Sequence, residues 1–332
     1  MKVKDSQYFD LSGVLSYNAL LNFVIGFRSA GKTYAFKDWA IRSWLKTGAQ
    51  FVYLRRYEVE VDAVKHTLFD DIADKYHLHF KCVGNTFFVN REGCVDDETG
   101  KPIWEIVGFI LALSGFAKYK SASFNEVDKI CYDEFLIENK NSHYLKNEMQ
   151  ALASLYHTIA RRRRVRLVAM ANSSDIINPF FDNYHIRFSE FLKSNTIFRN
   201  DKTVLFVYYK NPEAQASLAR SEQATAFGES FADYAFAGNF LENNEAMCCG
   251  KFGQYEFNLT NGHYFVSVYR ENSRLWISKQ KRGGATYTTN MQDFEHDLND
   301  NVITYLRDRI QRSAVFFEDV TAKLRFVDIM KL

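Results

Sequence analysis

Short apolar runs that end in glycine or in a charged pair alternate with longer stretches whose apolar residues recur at helical spacing. Leu21 to Ile25 is such a run and reads as a buried strand feeding a loop at Gly26. Lys32 to Leu45 has helical spacing, with Tyr34, Trp39, Ile41 and Leu45 among its larger apolar residues. Phe51 to Leu54 predicts a second strand, closed by Arg55-Arg56, and Glu60 to Tyr76 a helix. Phe80 to Val83 and Phe87 to Val89 predict a hairpin around Gly84-Asn85. Ile103 to Leu113 contains a strand, Val127 to Tyr132 is another that ends in Asp133-Glu134, and Asn147 to Ala160 is a helix. Val165 to Ala171 is a further strand, followed by Asn172.

Strands alternating with helices predict an α/β domain over residues 1–212, with a largely parallel sheet flanked by helices. Such sheets bind ligands at the carboxyl ends of their strands. Residues 213–250 are rich in Ala, Ser, Glu and Asn and read as a small helical linker region. From residue 251 the texture changes to short strands, Phe252 to Leu259, His263 to Tyr269 and Arg274 to Ser278, then a helix from about Asp293 to Gln311. Residues 251–332 thus form a smaller α+β domain.

Composition narrows the class. With 47% apolar and 16% aromatic residues the chain can bury a sizeable core, which excludes a disordered chain. A formal net charge of +2 means that any grip on a polyanion comes from local basic surfaces. The five cysteines, Cys82, Cys94, Cys131, Cys248 and Cys249, have neither disulfide-framework nor zinc-site spacing and fit a reducing compartment. The N-terminus carries no apolar signal core and no apolar run reaches bilayer length, so the expectation is a cytoplasmic protein without a membrane span.

The chemistry concentrates in four places. Gly26-Phe27-Arg28-Ser29-Ala30-Gly31-Lys32-Thr33 matches G-x-x-x-x-G-K-[ST] between a strand and a helix, the context a phosphate-binding P-loop requires. Glycines let backbone N–H groups close around phosphates, Lys32 reaches the β and γ phosphates, and Thr33 offers a hydroxyl to Mg²⁺. Asp133 closes a strand about a hundred residues later, where a P-loop enzyme needs a carboxylate for Mg²⁺; Glu134 beside it is the candidate general base. Hydrolysis of the triphosphate follows, and without an N-K-x-D guanine motif ATP is the expected nucleotide. Asn172, ending the next strand, senses the γ-phosphate, orients water or simply makes a turn. Arg28 faces solvent or a phosphate, and Arg55 and Arg56 stand where either could reach nucleotide or a neighbouring subunit.

Arg161 to Arg164 and Arg166 form the densest positive cluster: a solvated helix end, a finger acting on a neighbour's nucleotide, or a DNA contact. Lys118-Tyr119-Lys120-Ser121 is either a surface loop or a DNA-touching one, and Lys279, Lys281 and Arg282 beside Gly283-Gly284 read as a basic hairpin tip.

These residues resemble the DNA-packaging ATPases of phi29-like tailed phages. The resemblance lies in Leu21 to Gly26 running into Gly31-Lys32-Thr33-Tyr34, in Gln50 to Tyr57, in Tyr132-Asp133-Glu134-Phe135, in Asn147-Glu148 and in the arginine run closing on Val165-Arg166. It covers roughly residues 1–180; beyond residue 200 it rests on order and length. It implies an additional-strand, conserved-glutamate (ASCE, RecA-like) P-loop ATPase and a homomeric ring, a pentamer, at the portal vertex of a procapsid. It further implies a packaging RNA between motor and portal, and a C-terminal domain that resembles an RNase H-like nuclease without its cleavage activity. By position Arg161 falls at the trans-acting arginine finger after a one-residue gap, with Arg162 or Arg163 as alternatives, and Lys120 at a DNA-gripping lysine. Glu58 departs from the basic residue expected after Arg55-Arg56-Tyr57.

The sequence thus predicts an ATP-driven, Mg²⁺-dependent translocase of double-stranded DNA. Its rivals are a helicase or DNA-assembly ATPase, a small-molecule kinase, and a nucleotide-gated assembly protein.

Overall fold

The structure, a computed structural model, describes residues 8–138, 143–174, 177–186, 191, 194–227, 253–289, 296–312, 314–318 and 320–330. The chain divides into two compact units. One comprises Met1–Phe135, Gln150–Ser173 and Asn195–Asn239; the other comprises Leu136–Met149, Ser174–Ser194 and Phe240–Leu332.

The first unit is built on a nine-stranded mixed sheet. Its strands are β1 (Leu21–Gly26), β2 (Gln50–Arg55), β3 (Leu78–Val83), β4 (Thr86–Arg91), β5 (Glu105–Ala112), β6 (Val127–Asp133), β7 (Arg166–Asn172), β8 (Thr196–Arg199) and β9 (Val204–Tyr209), in the order β3-β4-β5-β2-β6-β7-β1-β9-β8. The six strands from β5 to β9 in that order run parallel. Antiparallel partners close both edges, β3 and β4 on one side and β8 on the other. The central strands are buried on both faces, which is why their middles, residues 23–25 in β1, 130–132 in β6 and 167–171 in β7, read as continuous apolar stretches rather than alternating ones. Strand β7 lies between β1 and β6, so the strand before the P-loop and the strand ending in Asp133 are not neighbours.

The helices of this unit are α1 (Leu11–Ser16), α2 (Lys32–Thr47), α3 (Glu58–Val64), α4 (Asp70–Tyr76), most of α5 (Glu148–Ala160), α6 (Pro212–Ala219) and α7 (Glu222–Phe227). Helix α2 ends at Gly48, which takes a left-handed φ of 73° and returns its N–H to Trp44. The single helix predicted over Glu60 to Tyr76 is two, α3 and α4. The break turns Phe69 into the core, where its ring lies 4.7 Å from Phe80 and 5.0 Å from Phe87. Removing that ring is expected to cost about 3–5 kcal/mol, more than a few extra helical hydrogen bonds supply. The hairpin β8–β9 carries no pattern that sequence reading singled out. Pairing of β9 with β1 extends the parallel core.

In the second unit β10 (Gln254–Thr260), β11 (Phe265–Glu271), β12 (Arg274–Ser278), β13 (Thr286–Thr288) and β14 (Val315–Phe317) form a five-stranded sheet in the order β13-β10-β11-β12-β14. Helices α8 (His296–Gln311) and α9 (Val320–Met330) belong to it, and Phe326 of α9 meets Phe317 at 5.7 Å. The basic stretch Lys279–Arg282 is not a hairpin tip. Strand β13 pairs with β10 and not with β12, so residues 279–285 form a crossover. Buried Asn258 anchors it, donating to the Arg282 carbonyl (2.9 Å) and accepting from its N–H (3.2 Å). No described helix is long and apolar enough to cross a membrane. Cys248 and Cys249 and most of the linker expected at 213–250 lie outside the described residues.

Candidate active site

The loop after β1 has the backbone its glycines predict. Gly31, the residue before α2, has φ 82° and Ser29 has φ 63°, so the chain coils tightly into the helix N-terminus. A side chain at Gly26 would meet the Tyr209 carbonyl oxygen at 3.1 Å. Lys32 is buried, and its ammonium donates to the Phe27 carbonyl (2.8 Å), the Gly26 carbonyl (3.3 Å) and Asn172 Oδ1 (2.8 Å). Ser173 N–H donates to the Gly26 carbonyl at 3.2 Å, tying the end of β7 to the loop. Residues Arg28 to Tyr34 together with Asp133, Glu134, Ala171 and Asn172 line one cavity of about 260 Å³.

On the facing strand end, Thr33 Oγ1 lies 3.3 Å from both oxygens of Asp133. A hydroxyl and a carboxylate this close suit a hard cation that keeps several waters, so the donor set fits Mg²⁺. Tyr53 donates its hydroxyl to Asp133 Oδ2. Burial, then the Asp133 charge, pushes that phenol well above its ordinary range, so it stays a donor. Glu134 has φ 56°, a left-handed backbone that costs a non-glycine residue about 1–3 kcal/mol where it is enforced. Its side chain is 54% exposed, and Oε2 accepts from Arg55 Nη2 at 2.6 Å. Burial alone would lower the Arg55 pKa, but Glu134 and Asp133 outweigh it and hold the guanidinium charged.

Arg56 is buried and donates to the Glu134 (3.2 Å) and Phe135 (2.6 Å) carbonyls, bracing the turn after Asp133. The Ser114 N–H in turn donates to the Arg56 carbonyl at 2.9 Å.

The arginine cluster separates into two kinds. Arg163 donates to four carbonyls, those of Phe124, Asn125, Val127 and Ile159, at 2.6–2.7 Å. Arg164 and Arg166 both hold Asn18. Arg161, with φ 52° just past the end of α5, and Arg162 are exposed, and neither side chain is bonded to a described residue. All five precede or begin β7 and so sit at the amino end of the parallel strands, whereas the P-loop sits at the carboxyl end. A seven-residue strand separates those ends by roughly 20 Å. Lys118 and Lys120 follow β5 and share the P-loop's end of the sheet. Lys118 is paired with Glu58, and Lys120 is exposed. The residue that broke the expected basic pattern is thus the one that occupies Lys118.

Residues 3–325 match the family of podovirus DNA encapsidation proteins (Gp16). The chain belongs to this family. It is 36% identical over 178 residues to the DNA packaging protein of Bacillus phage phi29, a match covering 53% of this chain and 49% of the relative. It therefore spans about half the length of the curated relatives it matches. Among solved structures it resembles the N-terminal domain of the DNA packaging ATPase from bacteriophage phi29, with TM-score 0.51 and 31% identity over 62% of this chain and 98% of that one. It also shares a fold with a chain of the phi29 viral genome packaging motor assembly, with TM-score 0.56 and 23% identity over 98% and 99% of the two chains.

The structure thus brings together Lys32, Thr33, Asp133, Glu134 and Asn172, and leaves Arg161, Lys118 and Lys120 away from that cavity. In this encapsidation-family chain, sequence reading missed Tyr53 and the placement of Arg55. The alternation of β2 carried the only signal: Tyr53 and Arg55 are two apart and point to the same face, toward the neighbouring strand end that bears Asp133.

Proposed function

We propose that this chain is the ATP-hydrolysing subunit of a ring-shaped motor that drives double-stranded DNA into a preformed procapsid. One observation carries the reading: Lys32, Thr33, Asp133, Glu134 and Asn172 converge on one cavity at the carboxyl ends of β1, β6 and β7, in a chain of the DNA encapsidation family. Lys32 and the loop N–H groups bind phosphate, and Thr33 and Asp133 would hold Mg²⁺, which when bound neutralises charge on the transferring phosphoryl. Glu134 takes the proton of the attacking water and Asn172 orients the γ-phosphate. One strand between β1 and β6 supports the ASCE, RecA-like form of the P-loop fold.

Arg161 lies at the opposite end of the sheet from its own cavity, which supports action on a neighbour's nucleotide and hence a homomeric ring, a pentamer by resemblance. Lys120, exposed at the P-loop's end, serves DNA grip, with Lys118 in reserve. The portal protein and a packaging RNA are the remaining partners, and the site of action is the portal vertex of a procapsid in the host cytoplasm. Residues 1–212 form the motor domain, 213–250 the linker and 251–332 a nuclease-derived domain that binds portal or nucleic acid.

The test is ATP turnover by the purified chain with and without duplex DNA and proheads. Stimulation by the pair is expected and should vanish in Glu134→Gln; turnover indifferent to both would overturn the packaging role.

A further inference from the structure

Strand β2 brings a tyrosine hydroxyl onto the carboxylate that closes β6. The register sets Tyr53 opposite Cys131, and Asp133 follows two residues on, so its side chain leaves β6 on the same face. The Tyr53 ring belongs to the buried core, and its hydroxyl donates to Asp133 Oδ2. The two oxygens of that carboxylate are unequal. Thr33 Oγ1 is shared between them, at 3.3 Å from each. Oδ2 also holds Tyr53 and lies 3.5 Å from Arg55 Nη1, whereas Oδ1 has Thr33 as its one hydrogen-bond partner among the described residues. Asp133 lines the phosphate cavity and Tyr53 does not.

Taking the reading above, in which Thr33 and Asp133 hold the cation, we propose that Tyr53 decides which cation: by pinning Oδ2 it leaves Asp133 a single oxygen to offer, and so favours Mg²⁺ over Ca²⁺. The two ions ask different things of a carboxylate. Mg²⁺ demands near-ideal octahedral geometry and parts reluctantly with its waters, so one oxygen, reached directly or through a water, is enough. Ca²⁺ gathers more oxygens at longer range and often takes both oxygens of one carboxylate. Asp133 cannot turn to chelate in that way without giving up the phenol.

A buried phenol has the properties this role needs. It fixes one oxygen without adding another positive charge where a cation must sit. Burial and the Asp133 charge push its pKa well above the ordinary range, so it keeps its proton and remains a donor. A ring packed in the core holds its hydroxyl in place, because close-packed interiors leave large side chains little room to move. Tyr53 therefore acts through Asp133, as a positioning residue that sets the metal preference of the site.

The experiment measures calorimetric binding of adenylyl imidodiphosphate, an ATP analogue that resists hydrolysis, in Mg²⁺, in Ca²⁺ and in EDTA. The proteins are the full chain, its variants Tyr53→Phe and Asp133→Ala, and the double variant. Tyr53→Phe keeps the ring and removes only the donor. Wild type should bind the analogue more tightly with Mg²⁺ than with Ca²⁺. Tyr53→Phe should lose about tenfold of that preference, the scale of one hydrogen bond to a charged acceptor. Part of the change should be a gain in Ca²⁺ affinity, which loosened packing does not produce. In the Asp133→Ala background Tyr53→Phe should leave the ratio unaltered. A wild-type chain without preference for Mg²⁺ would overturn the proposal, as would a ratio unchanged by Tyr53→Phe or an equal loss with both cations. The same change of ratio in the absence of Asp133 would also overturn it. Wild-type binding as tight in EDTA as in Mg²⁺ would instead remove the cation reading beneath it.

Discussion

Arg55 Nη2 donates to Glu134 Oε2 at 2.6 Å, and Arg55 Nη1 lies 3.5 Å from Asp133 Oδ2. One guanidinium thus faces both the Mg²⁺-ligand candidate and the base candidate. In the proposed reaction Glu134 gives up this pairing to turn toward the attacking water. Replacing Arg55 with Ala leaves two neighbouring carboxylates without their cation. Turnover is expected to fall at least tenfold, and stability by about 2 kcal/mol, discounted from the buried-pair range because Glu134 is half exposed. Steady-state ATPase rates and urea unfolding read the two effects separately. A variant as active as wild type would show that the pairing has no catalytic consequence.

Asn172 and Lys32 form the other contact across the cavity, at 2.8 Å. Asn172→Ala should cost one hydrogen bond to a charged group, about 1.5–3 kcal/mol, appearing as a ten- to hundredfold loss in kcat/KM with the fold intact. Lys32→Ala should abolish measurable turnover. If Asn172→Ala matches wild type in kcat/KM, the residue is only a strand-end turn.

The arginine run allows a clean separation of structure from function. Arg163→Ala leaves four carbonyls without their shared donor and should lower the melting temperature markedly. Arg161→Ala should melt like wild type and yet lose about 10³-fold or more of its turnover in the assembled motor. Mixed assembly decides the mechanism. Arg161→Ala subunits combined with Glu134→Gln subunits should regain turnover at those interfaces where an intact arginine meets an intact glutamate. No regain at any mixing ratio would exclude action in trans.

Glu58 pairs with Lys118, and Lys120 is exposed nearby in sequence. Duplex affinity measured against salt should show a slope reduced by roughly one in Lys120→Ala, the loss of one phosphate contact. Glu58→Gln frees Lys118 and should steepen the slope by about the same amount. If neither variant alters the slope, DNA does not touch this loop.

Lys129 is fully buried in β6, with its ammonium 3.0 Å from Ser43 Oγ and beside Asp128. Burial lowers its pKa below the ordinary 10.5. In the window between the lowered value and 10.5 the unfolded chain binds more protons than the folded one, so stability rises with pH there. Lys129→Met, similar in shape and uncharged, should remove that slope and raise stability at pH 7 by roughly 1 kcal/mol. Urea midpoints at pH 7 and pH 9.5 test both parts; a less stable variant at pH 7 would show that the ion pair outweighs its desolvation.

The elements that carry chemistry were legible because each is local. The P-loop needs a strand, glycines at fixed spacing and a helix start, and Leu21 to Thr47 contains all three in one stretch of chain. Asp133-Glu134 announces itself by ending an apolar strand, and the parallel core follows from strands buried on both faces. What one dimension cannot hold is which strand ends become neighbours. The order β2-β6-β7-β1 brings Tyr53 and Arg55 to the carboxylates 79–80 positions away and Asn172 to Lys32 across 140. The arginine run looks uniform in sequence because charge spacing says nothing about which carbonyls lie within reach. Folding commits Arg163 to the start of β6 and leaves Arg161 exposed. The split of Glu60 to Tyr76 into two helices has the same origin, since helical spacing continues through residues 65–69 and only the Phe80 ring, stacked on Phe69, and the Phe87 ring, edge-on to it, give Phe69 a reason to break it.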